Sequence, residues 1–312
     1  MTFDRSSTTD DVLSGMDLTG KTVLITGAST GLGAETARAL AARGADLTLV
    51  ARSTQKLTRV AEAIHSATGR KPETASLELD RPSTVRSFAN TWLASHGTLD
   101  LLINNAGIMA PPLTRTAEGW ESQFATNHLG HFLLTNLLAP ALKASGSARV
   151  INLSSGGHWF SPVDLEDPNY ERRPYEPLAA YGQSKTANIW FSLELGRRWK
   201  EHGVSSFAVH PGGIQTELDR NLDPSIQGTM EQMQKDYGHL YKTIPQGAAT
   251  SCWAATSASL NGKTGLYLED CRISKPAESD DIGQGGYVPH AYDEKGAVGL
   301  WDLSNRLLGT NF

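Results

Sequence analysis

The stretch KTVLITGASTGLGAETARAL, residues 21–40, decides the fold. It opens with a short β-branched run that ends at Gly27, which is typical of a strand. It closes with alanine-rich sequence whose apolar residues recur at helical spacing. Gly27, Gly31 and Gly33 lie between the two, so the backbone there can approach a phosphate, whose charge a helix N-terminus favours. The stretch predicts a strand–loop–helix unit that binds dinucleotide phosphates, with a merely structural tight turn as the alternative.

Strand and helix patterns alternate through most of the chain. Further strand patterns occupy residues 45–52, 74–80, 99–107, 148–157 and 204–213, and helix patterns occupy residues 53–69, 81–97, 117–145 and 179–202. This alternation predicts an α/β fold with a doubly wound parallel sheet, a Rossmann fold, in a single domain. We expect residues 1–17 to be a flexible leader, residues 18–270 the domain, and residues 271–312 a C-terminal extension that docks on it.

Composition and charge limit the classes of partner. The chain has 312 residues and a net charge of −5, which gives a nucleic-acid partner no electrostatic support. Its only cysteines, Cys252 and Cys271, are too few for a disulfide framework and fit a reducing compartment. No apolar run is long enough to span a bilayer. We therefore expect a cytoplasmic protein that binds neither nucleic acid nor membrane.

The stretch AYGQSKTAN, residues 180–188, places Tyr181 and Lys185 four positions apart in a predicted helix. Both side chains then leave one face of the helix, one turn apart. The simpler interpretation is a surface pair on an amphipathic helix. The alternative is a phenol whose proton moves during a reaction, because a cation within about 4–6 Å favours the phenolate and lowers its pKa.

Three motifs together resemble one family. The glycine spacing of residues 27–33, the stretch INNAG at residues 103–107 and the Tyr-x-x-x-Lys spacing are similar to the short-chain dehydrogenases/reductases over about residues 18–270. The stretches FATNHLGHFLLT (124–135), NLSSGGH (152–158) and VHPGGIQTEL (209–218) resemble the retinol-dehydrogenase-like branch. The resemblance implies a nicotinamide-dependent oxidoreductase that acts on a small hydrophobic alcohol or carbonyl compound. Vertebrate members of this branch often have a membrane-anchoring leader, but no such apolar segment is recognised here, so we do not expect membrane attachment to carry over.

The resemblance also implies catalytic roles at matching positions. Tyr181 would be the general acid/base, and Ser155 would hold the substrate oxygen beside its hydroxyl. Ser154 is the weaker candidate, because the family serine is usually the second of the pair. Lys185 would lower the pKa of Tyr181 and bind the nicotinamide ribose, and Asn127 would support the lysine through a water molecule. Taken singly, Ser155 could instead cap a turn and Asn127 could bond locally within its helix.

The predicted cofactor is NADP(H), with NAD(H) as the alternative. An NAD site favours an acidic residue at the end of the second strand, and an NADP site favours an arginine for the 2′-phosphate. Here Ala51 takes the position of the family aspartate, and Arg52 follows it. The predicted cofactor-binding residues are Gly27, Ser29, Thr30, Gly31, Leu32, Gly33, Arg52, Asp80, Asn105, Ala106, Gly107, Tyr181, Lys185, Pro211, Gly212, Ile214 and Thr216.

Several segments have two interpretations. The insert at residues 161–180 is either a solvated surface loop or a rim of the substrate pocket. Residues 217–245 are either an apolar lid or an amphipathic helix with core contacts. The seven residues that would form the lid are Leu218, Leu222, Ile226, Met230, Met233, Tyr237 and Leu240. Trp190 and Trp199 lie either in the core or on the interface of a homodimer or homotetramer, since the family often pairs this helix with its copy. His128 and His131 are expected to pack rather than bind a metal, because no third ligand accompanies them.

Two other functions stay open on the sequence alone. A fold does not imply a function, so the chain could be a nucleotide-sensing protein without catalysis. The branch also resembles the protochlorophyllide reductases, so reduction of a carbon–carbon double bond is a further alternative. The complete set of Ser155, Tyr181, Lys185 and Asn127 favours the enzyme, because a sensor would often have lost one of them.

Overall fold

The computed structural model describes residues 2–312 and is built on one eight-stranded sheet. The strands are β1 Thr22–Thr26, β2 Asp46–Ala51, β3 Glu73–Ser76, β4 Leu101–Asn104, β5 Arg149–Leu153, β6 Ser205–His210, β7 Leu266–Glu269 and β8 Arg272–Ile273. Their order is β3-β2-β1-β4-β5-β6-β7-β8, with every pair parallel except β7 and β8. The strand order reverses between β1 and β4, which opens a crevice at the carboxyl ends of these strands. The structure thus confirms the doubly wound Rossmann fold.

Helices cover both faces of the sheet. They are α1 Thr9–Val12, α2 Gly31–Ala41, α3 Thr54–Thr68, α4 Pro82–Ser95, α5 Ser122–Phe124, α6 Gly130–Leu137, α7 Ala139–Ser145, α8 Pro177–Trp199, α9 Gln227–Tyr237, α10 Ile244–Thr256 and α11 Glu294–Leu308. Successive residues of β1 supply opposite cores, because side chains alternate across a strand. Leu24 packs in one core with the aromatic residues of α4, α6 and α8, and Val23 and Ile25 pack in the other with α2 and α10. Both cores are fully shielded from solvent at these positions.

Several predicted elements differ in extent from the observed ones, and two of them show why. The strand expected at residues 74–80 is only Glu73–Ser76, and the chain then turns toward Pro82, where α4 begins. The helix expected at residues 117–145 begins at Ser122 and contains a π-helical turn at Ala125–Leu129. Pro140 lies in the first turn of α7, where its missing N–H breaks no bond of the new helix. These interruptions are tertiary features that a helical period does not reveal.

The leader is docked, which corrects the expectation of a flexible segment. The hydroxyl of Thr8 caps α1 in a capping box with Asp11. Val12 and Leu13 are buried in the core that contains α2 and α10. The side chain of Arg5 donates to the carbonyl oxygen of Leu240 at 2.7 Å. The polar composition of residues 1–17 hides two apolar side chains that are enough to fix the segment.

Replacing Leu13 with alanine tests this docking. We expect the free energy of unfolding to fall by about 2–5 kcal/mol, the usual cost of truncating a fully buried leucine. Urea-induced unfolding measures it. Leu113→Ala is the matched control, because Leu113 is 39% exposed and should cost about 0.5 kcal/mol or less. Equal losses in the two variants would mean that the leader is loose in solution.

The C-terminal helix α11 covers α8. Trp301 of α11 lies 6.0 Å from the ring of Phe191, and Arg198 stacks over Trp301 at 4.4 Å. Trp190 is buried, and its Nε1 donates to the carbonyl oxygen of His290 at 2.8 Å. Trp199 belongs to the same core. Of the two interpretations of the tryptophans, core packing is therefore the one that the structure shows.

The insert at residues 161–180 packs on the body instead of forming a solvated loop. Tyr170 is buried, and Arg173 stacks over its ring at 3.8 Å. Arg115 donates to the carbonyl oxygens of Asn169 and Tyr170.

Within residues 2–312, every helix is too short or too polar to span a lipid bilayer. In the same range, no group of three or more histidine, cysteine, aspartate or glutamate side chains is placed to hold a metal ion.

Candidate active site

A cavity of about 1500 Å³ opens at the carboxyl ends of the strands. Its wall contains every predicted site residue except Asn127, which is fully buried behind it. The residues come from the glycine loop, the ends of β2, β4, β5 and β6, and helix α8. Chain segments far apart in sequence therefore meet at one site, as the doubly wound topology requires.

The glycine loop passes closely against the stretch after β4. Gly27 has a φ of +64°, and a Cβ atom there would lie 2.7 Å from Cα of Ala106. A Cβ atom at Gly33 would lie 2.5 Å from both the carbonyl oxygen of Gly27 and Nδ2 of Asn105. Asn105 fixes this contact by donating from Nδ2 to the carbonyl oxygen of Thr26 at 2.8 Å. Only glycine allows the two loops to approach this closely.

The N-terminus of α2 faces the cavity with free donors. Thr30 precedes the helix in an extended conformation, and its side chain makes no capping hydrogen bond. Gly31, Leu32 and Gly33 of the first turn line the cavity. The first N–H groups of a helix have no partner inside the helix, and together with the helix dipole they favour an anion. These residues therefore fit the pyrophosphate of a dinucleotide cofactor.

Two basic residues line the end of the cavity next to β2. Arg52 directly follows β2, and Lys56 projects from the first turn of α3. Nζ of Lys56 lies 2.6 Å from Oε2 of Glu217, which comes from the segment after β6. Asp80 lines the same end. Lys56 was missed by the sequence analysis, although a basic residue four positions after Arg52 could have suggested it.

Ser155 and Tyr181 form the other end. Tyr181 is buried on α8 with its phenol at the cavity wall, and a Cβ atom on Gly157 would lie 2.7 Å from its ring. The Ser155 hydroxyl also reaches the cavity and accepts a hydrogen bond from the N–H of Gly157 at 3.0 Å. Ser154 instead donates to the carbonyl oxygen of Lys185 at 2.8 Å. Since the Ser154 hydroxyl is used inside the core, Ser155 is the serine available to a substrate.

Lys185 and Asn127 lie close together next to Gly107. Nζ of Lys185 is 5.4 Å from the centre of the Tyr181 ring and donates to the carbonyl oxygen of Leu153 at 3.1 Å. A Cβ atom on Gly107 would lie 3.3 Å from Oδ1 of Asn127 and 3.6 Å from Nζ of Lys185. The side chain of Asn127 bonds both backbone groups of Ile108. All four predicted catalytic residues are thus brought together.

Burial dominates the pKa of Tyr181. Burial raises it to about 12, and the neighbouring Ser155 hydroxyl opposes the rise only in part. Burial also lowers the pKa of Lys185 to about 8. In this structure burial of the phenolate therefore sets the pKa of Tyr181, and the lowering expected from Lys185 together with an oxidised nicotinamide stays a prediction.

Apolar side chains close the outer side of the cavity. Six of the seven residues predicted for the lid line it, namely Leu218, Leu222, Met230, Met233, Tyr237 and Leu240. The seventh, Ile226, is buried elsewhere in the segment. Of the insert at residues 161–180 only Leu178 lines the cavity, whereas residues 282–285 of the C-terminal extension all do. Arg5 of the leader also reaches it, and no sequence motif pointed to that residue.

Comparisons with known proteins agree with this geometry. The family described as short chain dehydrogenase matches residues 21–227. A Streptomyces lividans protein named "Probable oxidoreductase" is 44% identical over 293 residues, which are 92% of this chain and 97% of that protein. Human "Retinol dehydrogenase 11" is 39% identical over 295 residues, 94% of this chain and 87% of that protein.

A solved structure extends the likeness to three dimensions. The crystal structure of an uncharacterized protein from Mycobacterium paratuberculosis superposes with a TM-score of 0.75 and 34% identity. The match covers 96% of this chain and 98% of that one. The relatives confirm the likeness to the retinol-dehydrogenase-like branch. The chain therefore belongs to the short-chain dehydrogenase/reductase family and is an NAD(P)-dependent oxidoreductase.

Proposed function

We propose that this enzyme interconverts a hydrophobic alcohol and its ketone or aldehyde, with Tyr181 as general acid/base and NADP(H) as the preferred cofactor. The observation that carries the proposal is the placement of Tyr181 and Ser155 in one cavity with the glycine loop and an apolar lid. One cavity can therefore hold the cofactor, the reacting oxygen and an apolar substrate body together.

The four predicted catalytic residues would each have a different role in the reaction. When bound, the nicotinamide cofactor supplies or accepts the hydride. Ser155 holds the substrate oxygen, and Tyr181 donates its proton to that oxygen in reduction or removes the proton in oxidation. Lys185 holds a positive charge behind the phenol, and Asn127 fixes the backbone of Ile108 beside it.

The high pKa of Tyr181 keeps its phenol protonated, so the side chain can act as an acid. A phenol with a pKa of about 12 is protonated at neutral pH, so it can donate a proton to a carbonyl oxygen without further change. To act as a base, the phenol needs a nearby positive charge that lowers its pKa. The ammonium of Lys185 and the positive charge of an oxidised nicotinamide would supply that charge together. Removal of the proton in oxidation therefore depends on these positive charges more strongly than donation of the proton in reduction does.

The lid supports an apolar substrate. Leu222, Met230 and Met233 face the same cavity as Tyr181, and unbranched methionine side chains adapt to apolar surfaces of different shape. A volume of about 1500 Å³ exceeds the range of roughly 300–1000 Å³ common for ligand pockets. It leaves room for a large substrate, such as a steroid, a retinoid or an aryl carbonyl compound, beside the cofactor.

Arg52 and Lys56 support the choice of NADP(H). Both line the end of the cavity next to β2, and Ala51 places no carboxylate at the end of that strand. Lys56 is paired with Glu217 at 2.6 Å. A bound 2′-phosphate would compete with Glu217 for the lysine, so the segment after β6 would sense which cofactor is present.

Replacing Arg52 with alanine tests the cofactor preference. We expect the Kd of NADP(H) to rise by about 10- to 100-fold, since hydrogen bonds to charged groups contribute roughly 1.5–3 kcal/mol. The Kd of NAD(H) should change less than about twofold. Fluorescence titration measures both. Arg59→Ala is the matched control, because Arg59 lies exposed on α3 outside the cavity. Equal weakening of both cofactors by Arg52→Ala would contradict the assignment.

A substrate panel tests the reaction class. The purified protein is assayed with NADPH and NADH against hydrophobic ketones, aldehydes and activated alkenes, and with the oxidised cofactors against the matching alcohols. We expect carbonyl reduction and alcohol oxidation, with higher kcat/KM for NADP(H). Turnover of the alkenes alone would identify a double-bond reductase. Tight cofactor binding without any turnover would favour a sensor.

A further inference from the structure

His131 connects the two halves of the candidate site, although it lines no part of the cavity. The ring is buried in α6. Its Nδ1 lies 2.9 Å from the carbonyl oxygen of Asn127, and its Nε2 lies 2.8 Å from Oγ1 of Thr26. Asn127 belongs to the catalytic set, and Thr26 is the residue before the glycine loop. One imidazole therefore touches both.

The hydrogen bonds fix which ring nitrogen carries the proton. A carbonyl oxygen can only accept, so Nδ1 of His131 donates to Asn127. Burial lowers the pKa of His131 to about 4, so the ring is neutral and its Nε2 accepts a hydrogen bond from the Thr26 hydroxyl. The oxygen of that hydroxyl accepts from the N–H groups of Asn105 at 2.9 Å and Ala106 at 3.0 Å. Every polar group in this chain of bonds has a partner.

The two ends of the network hold different parts of the site. At the Nε2 end, Thr26 holds Asn105 and Ala106, which line the cofactor side of the cavity. At the Nδ1 end, Asn127 lies in the π-helical turn, where the regular helical bonding pattern is interrupted. The Asn127 side chain holds Ile108 and donates to Oγ of Ser184, the neighbour of Lys185.

We propose that His131 is a positioning residue with two separable tasks: its Nδ1–H fixes Asn127 for turnover, and its Nε2 fixes Thr26 and the loop after β4 for cofactor binding. The proposal rests on the proposed function, since it gives Asn127 a part in turnover. A buried imidazole suits both tasks because it offers a donor and an acceptor on opposite sides of one rigid ring. Leucine offers neither, and a single amide reaches only one of the two positions.

His128 supplies a matched control in the π-helical turn that leads into α6. It is as deeply buried as His131, but its Nε2 bonds Oγ of Ser304 in α11 at 2.8 Å. It therefore faces the C-terminal helix, on the side away from the glycine loop. Replacing either imidazole with leucine removes a buried ring from the same continuous helical segment, so a general loss of packing should affect the two variants alike.

The experiment compares His131→Asn, His131→Gln, His131→Leu and His128→Leu. Asparagine places its amide near the Nδ1 position and keeps a donor for Asn127, whereas glutamine reaches the Nε2 position and keeps a partner for Thr26. We expect His131→Asn to raise the Kd of NADPH about five- to tenfold with kcat within about twofold, the effect of one lost hydrogen bond. His131→Gln should lower kcat by a similar factor with Kd within about twofold. His131→Leu should show both losses, and His128→Leu neither.

Kd is measured by titrating each variant with NADPH in the absence of substrate. The value of kcat is measured at saturating cofactor, and Tm is measured for each variant. Identical behaviour of the asparagine and glutamine variants would overturn the proposal. Equal losses in His131→Leu and His128→Leu at equal Tm would overturn it too. The proposed function is tested separately by Tyr181→Phe, because the titration of the His131 variants does not depend on turnover.

Discussion

Replacing Tyr181 with phenylalanine is expected to lower kcat by at least about 10²-fold, the lower end of the contribution of general acid–base catalysis. The variant loses the only group in the proposed mechanism that exchanges a proton with the substrate oxygen. The Kd of NADPH should stay within about twofold, because the ring and its packing against Gly157 remain. Steady-state kinetics and direct cofactor titration measure the two quantities.

Tyr170→Phe is the matched control for this substitution. Tyr170 is also buried, but it lies in the insert, outside the cavity, and its hydroxyl has no hydrogen-bond partner within residues 2–312. Removing that hydroxyl should leave kcat and KM within about twofold. If Tyr181→Phe keeps more than a few per cent of the wild-type activity, the role assigned to Tyr181 is wrong.

Lys185→Met is expected to lower kcat/KM by about tenfold or more and to move the rise of the oxidation pH profile upward by about one pH unit or more. The reason is the loss of a positive charge close to the Tyr181 ring, at 5.4 Å from its centre. Cofactor should also bind less tightly, since Lys185 lines the cofactor cavity. The measurement is kcat/KM for an alcohol substrate against pH, which reports the essential base of the free enzyme.

Lys185→Arg separates charge from geometry. It keeps the positive charge but changes its reach and its donor directions, so it should restore the position of the pH profile better than the rate. A pH profile that does not move in Lys185→Met, in a folded protein, would show that Lys185 has no influence on the proton transfer.

Burial of the Lys185 ammonium should lower the free energy of unfolding of the protein. The pKa of Lys185 falls from 10.5 to about 8 on folding because burial disfavours the ammonium. Between these values the unfolded chain binds more protons than the folded one, so stability rises with pH through this window. Below pH 8 the cost of the buried charge is fully present. Lys185→Met should therefore raise the free energy of unfolding at pH 7 while it reduces activity.

The sequence predicted the parts of the site that depend on local patterns. The glycines of residues 27–33 and the spacing of Tyr181 and Lys185 are read along one strand, loop or helix, and the topology then brings them together. The pKa of Tyr181 could not be predicted this way, because it depends on how completely the surrounding elements exclude water. The bond from His131 to Thr26 joins residues more than a hundred positions apart. Arg5 reaches the cavity from a leader that Val12 and Leu13 help to dock, and the polar composition of that leader concealed the docking.

The packing of α11 on α8 has a consequence for how this protein responds to dilution. Trp190 and Phe191 are covered by residues of the same chain, so the partner that covers them is always present at a high effective concentration. When a second subunit covers such a face, the subunits separate on dilution and stability depends on protein concentration. Here the face stays covered at any concentration, and a second subunit could bind it only by first displacing α11.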